Sequence, residues 1–376
     1  MTPALDGVLV ADFSRVLAGP YATMLLADLG ATVVKVERPG SGDDTRAWGP
    51  PFAPDGQSTY FHSVNRNKRS IALDLSDAAD LGIAQDLARQ ADVVVQNYKP
   101  GGLARFGLDY GAVAVGNPDV VYCSISGFGS GEGRDLPGYD LLVQAMGGLM
   151  SITGDAEPTK AGVAVVDVLT GLHATVAILA ALRHRDLTGA GQHVEVSLLS
   201  SLLSSLVNQS SAFVGAAVVP QRMGNAHPSI APYDLFVTAD RPMIIAVGND
   251  GQFRRLVEVL GRADLADHAD YRTNTDRVSH RDALKTTLEA TLTTRGADDW
   301  QRDLTDAGVP CGPINTIEQA FGLATRLGLE PVADAGGIPV VANPVRYTTT
   351  PPEYRTPPPA VDGDRDEVLA LLRERS

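Results

Sequence analysis

Short apolar or β-branched runs alternate with helix-length stretches through the first 200 residues, and that alternation leaves few folds open. Residues 5–13 are an apolar run, 18–29 carry apolar residues at helical spacing, and 31–36 are β-branched, which together read as strand, helix, strand. Strand-like runs recur at 70–75, 92–96 and 120–125, with helical stretches at 78–90 and 139–149. Strands separated by helix-length segments cannot pair as tight hairpins, so the expected product is a parallel, doubly wound α/β sheet. A helix over 168–185 is stopped by Gly189 and Gly191, and a strand at 193–197 leads into a Leu/Ser helix at 198–206.

After about residue 210 the texture changes. Residues 215–232 are rich in Gly, Pro and Asn without a clear period, which marks a linker or domain crossing. A strand at 243–247 and helices at 252–260, 281–291 and 300–307 predict a smaller α+β unit reaching about residue 320. The Pro-rich stretch 348–359 reads as an extended tail, followed by a short helix at 364–373.

At 376 residues the chain exceeds the usual size of one hydrophobic core, and its 44% hydrophobic content excludes wholesale disorder. Lys and Arg number 31 against 45 Asp and Glu, and the net charge of −14 argues against a nonspecific nucleic-acid or anionic-membrane surface. An anionic ligand must therefore find a local pocket. Residues 1–110 hold 10 Lys/Arg against 13 Asp/Glu, so the N-terminal third is the better place for one.

Cys123 and Cys311 are far apart and outside any metal or redox pair, so neither a disulfide framework nor a cysteine zinc site is expected. The seven His residues show no paired metal spacing, and no metal is expected. The opening residues lack a secretory signal, which with the cysteine usage points to the cytoplasm. Residues 163–182 approach a membrane span in length, but Asp167, Gly171 and His173 make lipid insertion costly, and a buried helix is expected. Among nucleotide and hydrolase motifs, 127–133 (GFGSGEG) lacks the sixth-position Gly of the dinucleotide fingerprint. No Gly-Lys dipeptide supports a P-loop, and no Gly-x-Ser-x-Gly elbow occurs.

Asp167 stands at the head of an apolar helix of about five turns, where a charge is expensive unless solvated or used. Two readings stay open: a helix cap, or a carboxylate nucleophile that the helix N-terminus keeps ionised. Basic residues recur near strand ends: Arg15, Arg38, the run Arg66, Asn67, Lys68 and Arg69, and Lys99 with Arg105. Ligands of open α/β sheets collect outside the carboxyl ends of strands, so this recurrence favours an anionic, phosphate-bearing ligand over solvated surface charge. Trp48 suits a core position or a stacking surface. Gly248, Asn249, Asp250, Gly251 and Gln252 follow a strand and read as an ordinary strand-to-helix turn or as a mobile lid.

Taken in order, a series of short segments resembles the family III CoA-transferases, over nearly the whole chain. They are Leu5-Asp6-Gly7, RVLAGP at 15–20, Leu29-Gly30-Ala31, KVERPG at 35–40, NRNKRS at 65–70, NYKPG at 97–101 and Gly138-Tyr139-Asp140. The later half adds Asp167 with Gly171, residues 189–192, Gly224-Asn225, His227-Pro228, Pro232-Tyr233, residues 248–252 and GVPCGP at 308–313.

The resemblance implies a large Rossmann-like domain built from both chain ends, a smaller α+β domain, and an interlocked homodimer. On that reading residues 1–205 belong to the large CoA-binding domain, 206–225 are a linker, 226–320 form the small domain, and 321–376 return to the large one. It further implies that Asp167 is the catalytic aspartate, forming a covalent aspartyl intermediate as CoA moves from an acyl-CoA thioester to a free carboxylic acid. Arg15, Val16, Ala18, Arg38, Leu73, Asn97, Tyr98 and Arg105 match positions lining the CoA site. Leu17, Trp48, Tyr139 and the segment Gly248 to Gln252 match substrate and lid positions. No permanent cofactor is implied; CoA and its thioesters are substrates.

Departures narrow the reading. Leu17 and Pro137 stand where the formyl-CoA transferases have Gln and Lys, which turns expectation away from oxalate and toward a less polar acceptor. Related 2-methylacyl-CoA racemases use a His opposite the aspartate, and here that place is Tyr139. Racemisation with Asp167 as base, or acyl-CoA binding without turnover, are the alternatives.

Overall fold

The computed structural model describes residues 2–375. Its chain forms two compact units, one made of the segment up to Leu149, Ala161–Val218 and Leu329 onward, the other of Met150–Lys160 and Val219–Gly328.

In the larger unit six strands make one sheet: β1 Leu9–Asp12, β2 Thr32–Glu37, β3 Lys68–Ala72, β4 Val93–Gln96, β5 Val121–Ser126 and β6 Gln192–Ser197. Every pairing is parallel, in the order β3-β2-β1-β4-β5-β6. Alternate residues of the same strands feed two cores. Val10, Val33, Val93 and Val121 meet the helices Ala18–Asp28, Val165–Thr188 and Leu198–Ser205. Leu9, Val34, Val94 and Tyr122 meet Ala78–Gln90 and Arg365–Arg375 on the other face. Burial on both faces explains why the central strands β1 and β4 read as apolar runs. The chain reverses its winding between β1 and β4, both hydrogen-bonded neighbours in the centre, and this switch point is where ligands settle in such sheets.

The helix Val165–Thr188 is long and apolar enough, by length and composition, to cross a membrane. One stripe of it, including Val166, Ala174, Ile178 and Ala181, is instead buried in the sheet core, while Leu172, Val176 and Leu187 are exposed.

The run at 66–69 is corrected by the strand limits: β3 begins at Lys68, so these residues sit at the amino end of the strand, not its carboxyl end. Arg66 pairs with buried Asp28 at 2.6 Å and donates to the Val341 carbonyl, and the Asn67 amide donates to the Glu353 carbonyl. Their role is to hold the returning C-terminal segment. Arg355 adds bonds to the carbonyls of Ala27 and Ala31, and Val368 and Leu372 of the final helix enter the core.

The smaller unit has an antiparallel sheet of β7 Tyr233–Phe236, β8 Met243–Ala246 and β9 Cys311–Pro313. Phe253, Leu256, Leu288, Trp300 and Leu304 from three helices close its core.

Candidate active site

At the switch point the loops leaving β1 and β4 are tied together. The Arg15 amide donates to Asn97 Oδ1 at 2.9 Å, and Asn97 Nδ2 donates to the Arg15 carbonyl at 2.7 Å. Val16 follows with φ of 70°, a left-handed conformation that costs a β-branched residue on the order of 1–3 kcal/mol. Asp43 holds it there by accepting from the Val16 amide at 3.2 Å. Asp43 is in turn paired with Lys35 at 2.8 Å, both side chains fully buried. Burial opposes the Asp43 charge, but Lys35 and the donors of Thr45 outweigh it and bring its carboxyl down to about 2. Lys68 lies in the same buried layer, 3.2 Å from Asp12; burial pulls it down to about 8 despite that partner. The loop presenting Arg15 to Ala18 therefore rests on a fixed ionic platform.

Asp167 reaches this loop because two helices touch backbone to backbone. A Cβ at Gly171 would lie 2.7 Å from the Ala18 carbonyl, so only glycine permits the approach. Asp167 is one turn earlier on the same helix face, which directs it to the loop before Ala18. It is not the cap. The helix starts at Val165, and Asp140, 27 residues before Asp167, accepts from the amides of Val166 at 2.8 Å and Asp167 at 3.1 Å. With those amides taken, the helix end does not keep Asp167 ionised as expected from its position. Burial, and then the charge of Asp140, raise its carboxyl to about 7. The Asp167 carboxylate accepts no hydrogen bond among the described residues.

A cleft of about 420 Å³ is lined by Asp167 together with Arg15, Val16, Leu17 and Ala18. Asn97, Tyr98 and Tyr139 line it too. Arg15, whose guanidinium lies 5.1 Å from the Tyr98 ring centroid, and Tyr98 itself also line a second cleft of about 310 Å³. Arg38, Leu73 and Arg105 complete the expected group there. All these residues belong to the larger unit.

Trp48 lies outside both linings, edge-on to Tyr60 with centroids 5.1 Å apart. Tyr60 escaped the sequence reading. Its hydroxyl is pushed up to about 12, by burial first and then by the charge of Asp167. It sits on a one-turn helix capped by Ser58 in a Pro-rich stretch that carries no motif. Gly248 to Gln252 lie in the smaller unit as a capped strand-to-helix turn: Asn249 accepts from the Gln252 amide, and the Gln252 side chain accepts from Gly248. The glycines of 127–133 also have a structural explanation. A Cβ on Gly127 would come within 2.4 Å of Gly138 Cα, so the ends of this loop meet backbone to backbone. The described residues contain no cluster of His, Cys, Asp and Glu suited to a metal.

A carboxylate without partners, beside a cleft that runs into an arginine-lined pocket, suits acyl transfer from a phosphate-bearing thioester. The family model for CoA-transferase family III matches residues 5–365. The chain belongs to CoA-transferase family III.

Relatives of this CoA-transferase support the assignment over most of their length. It is 45% identical to the succinate–glutarate CoA-transferase of Agrobacterium fabrum, over 98% of this chain and 96% of that protein. It is 42% identical to the succinyl-CoA:glutarate CoA-transferase of Mus musculus, over 97% of this chain and 85% of that protein. The crystal structure of a CaiB/BaiF family protein from Brucella suis superimposes with a TM-score of 0.89 at 41% identity, covering 99% of this chain and all of that one. The chain is thus an enzyme, and its substrates are CoA thioesters.

Proposed function

We propose that this CoA-transferase moves CoA from succinyl-CoA to a second dicarboxylic acid of the glutarate class, through a covalent intermediate on Asp167. The observation that carries the reading is the unpartnered Asp167 carboxylate in a cleft that shares Arg15 and Tyr98 with the arginine-lined pocket. The substrate class is taken from the relatives that act on succinate and glutarate.

In the first half-reaction an Asp167 oxygen attacks the thioester carbonyl and the C–S bond breaks, giving a mixed anhydride and CoA thiolate. The thiolate then attacks the aspartyl carbonyl, releasing succinate and leaving an aspartyl-CoA thioester. The acceptor carboxylate reverses both steps. Partial burial opposes the charge on Asp167, so its ionised form is poorly stabilised and correspondingly nucleophilic. Leu17 offers no side-chain cap to the helix Ala18–Asp28, so first-turn amides of that helix are placed to hold the oxyanion. Arg15, Arg38 and Arg105 bind the phosphates and the adenosine end, remote binding that steadies the reacting carbon. Val16, Ala18, Leu73, Asn97 and Tyr98 shape the path between the two ends. The racemase alternative asks for a second base in the cleft, and the position expected for it carries Tyr139.

We also propose that two copies associate. Val176 and Val207 are 65% and 68% exposed, and Leu172, Leu203 and Val214 join them as apolar surface that a partner would cover.

Incubating the enzyme with succinyl-CoA and glutarate should yield glutaryl-CoA and succinate in equal amounts. Absence of glutaryl-CoA would contradict the substrate assignment.

A further inference from the structure

A dicarboxylic substrate presents a carboxylate that does not react, and none of the residues given a role above receives it. Three cations line the Asp167 cleft: Arg15, Lys99 and Arg134. Arg15 faces Asp44 at 3.7 Å and also lines the phosphate pocket. Lys99 and Arg134 form no ion pair among the described residues.

Arg134 is the better placed of these two. It rides on the loop that leaves β5, whose ends close at the contact of Gly127 with Gly138. A Cβ at Gly133 would strike the Phe128 carbonyl at 2.5 Å, so the backbone next to Arg134 is packed down and its stem starts from a fixed place. Its guanidinium lies over the neighbouring loop, with Nη2 donating to the Pro100 carbonyl at 3.1 Å. That contact orients the plane and leaves the Nε and Nη1 donors open. A planar fork with open donors matches a carboxylate in two-point geometry, which an ammonium cannot reproduce. Asp44 and Asp167 are the acidic residues in the lining, the first beside Arg15 and the second at the reacting end. The unreacted carboxylate is drawn to the remaining cations.

We infer that Arg134 receives the distal carboxylate of the dicarboxylic substrates, with Lys99 adding positive potential, and thereby selects dicarboxylic over monocarboxylic acids. The inference rests on the dicarboxylate reading of the function and gives that reading its specificity residue.

The test compares kcat/KM for glutarate and for pentanoate, which differ in the terminal carboxylate, with succinyl-CoA as donor. Wild-type enzyme should prefer glutarate. Arg134→Gln should reduce that preference by about tenfold or more, chiefly through KM for glutarate, and Arg134→Lys should fall between because it keeps the charge without the fork. A preference that survives in Arg134→Gln, or an equal loss for both acids, overturns the role of Arg134. Wild-type enzyme that takes both acids equally would overturn the dicarboxylate reading itself, a different result from either of those.

Discussion

Asp167 titrates near neutrality because two effects act together: it is withdrawn from water without a hydrogen-bond donor, and Asp140 places a like charge beside it. A nucleophile must be ionised, so kcat/KM for the acyl-CoA should fall about tenfold per pH unit below an acid limb near pH 7. Asp140→Asn keeps an oxygen for the helix amides but removes the charge, and should move that limb to lower pH. A limb at the ordinary carboxylate value in wild type, or one that ignores Asp140→Asn, would contradict this account of the site. Asp167 was legible in the sequence because a charge at the head of an apolar helix demands a reason. Asp140 was not legible as the cap, since the bond spans 27 residues and no local pattern encodes it. Arg134 carries the same signal as Arg15, Arg38 and Arg105, a basic residue in the segment after a strand, here β5. Tyr60 had no such signal.

At the level of elements, β1 and β4 were readable because both faces of the sheet centre are buried, which gives them apolar runs, whereas the edge strand β6 (QHVEVS) alternates. Their limits were less so. The apolar run at 5–13 contains a strand of only four residues, and the basic run at 66–69 lies at the start of β3 because strand direction, invisible in composition, decides which end faces a ligand. A helix at Val207–Ala216 forms where the sequence suggested a linker, and none of its residues is buried. The helix Val165–Thr188 was expected to be buried, and one stripe of it is. The other keeps Leu172 and Val176 in solvent, and Leu203, Val207 and Val214 on the two helices that follow β6 are exposed as well. If they join into one patch, as the proposed association requires, a partner would cover it. Native mass spectrometry at micromolar concentration should therefore give about twice the 39.5 kDa chain mass, and a stable monomer would remove the proposed association.

For the whole molecule, the larger unit draws on both ends of the chain, because Arg66, Asn67 and Arg355 anchor the C-terminal segment beside the helix Ala18–Asp28 and its final helix completes one core. The order of segments made this family resemblance readable from sequence: RVLAGP follows β1, KVERPG spans the end of β2, NYKPG follows β4, and Gly171 meets the Ala18 backbone. The unit has a buried ionic layer under the Arg15 loop, an arginine-lined pocket and a cleft containing Asp167, and these parts converge on one proposal, that the carboxylate becomes acylated. The direct measurement is to incubate the enzyme with succinyl-CoA, quench with hydroxylamine and determine the mass of the peptide containing Asp167. The account predicts an aspartyl hydroxamate on that residue, dependent on the thioester and lost in Asp167→Asn. An unmodified Asp167 peptide from enzyme that is actively exchanging CoA would contradict it.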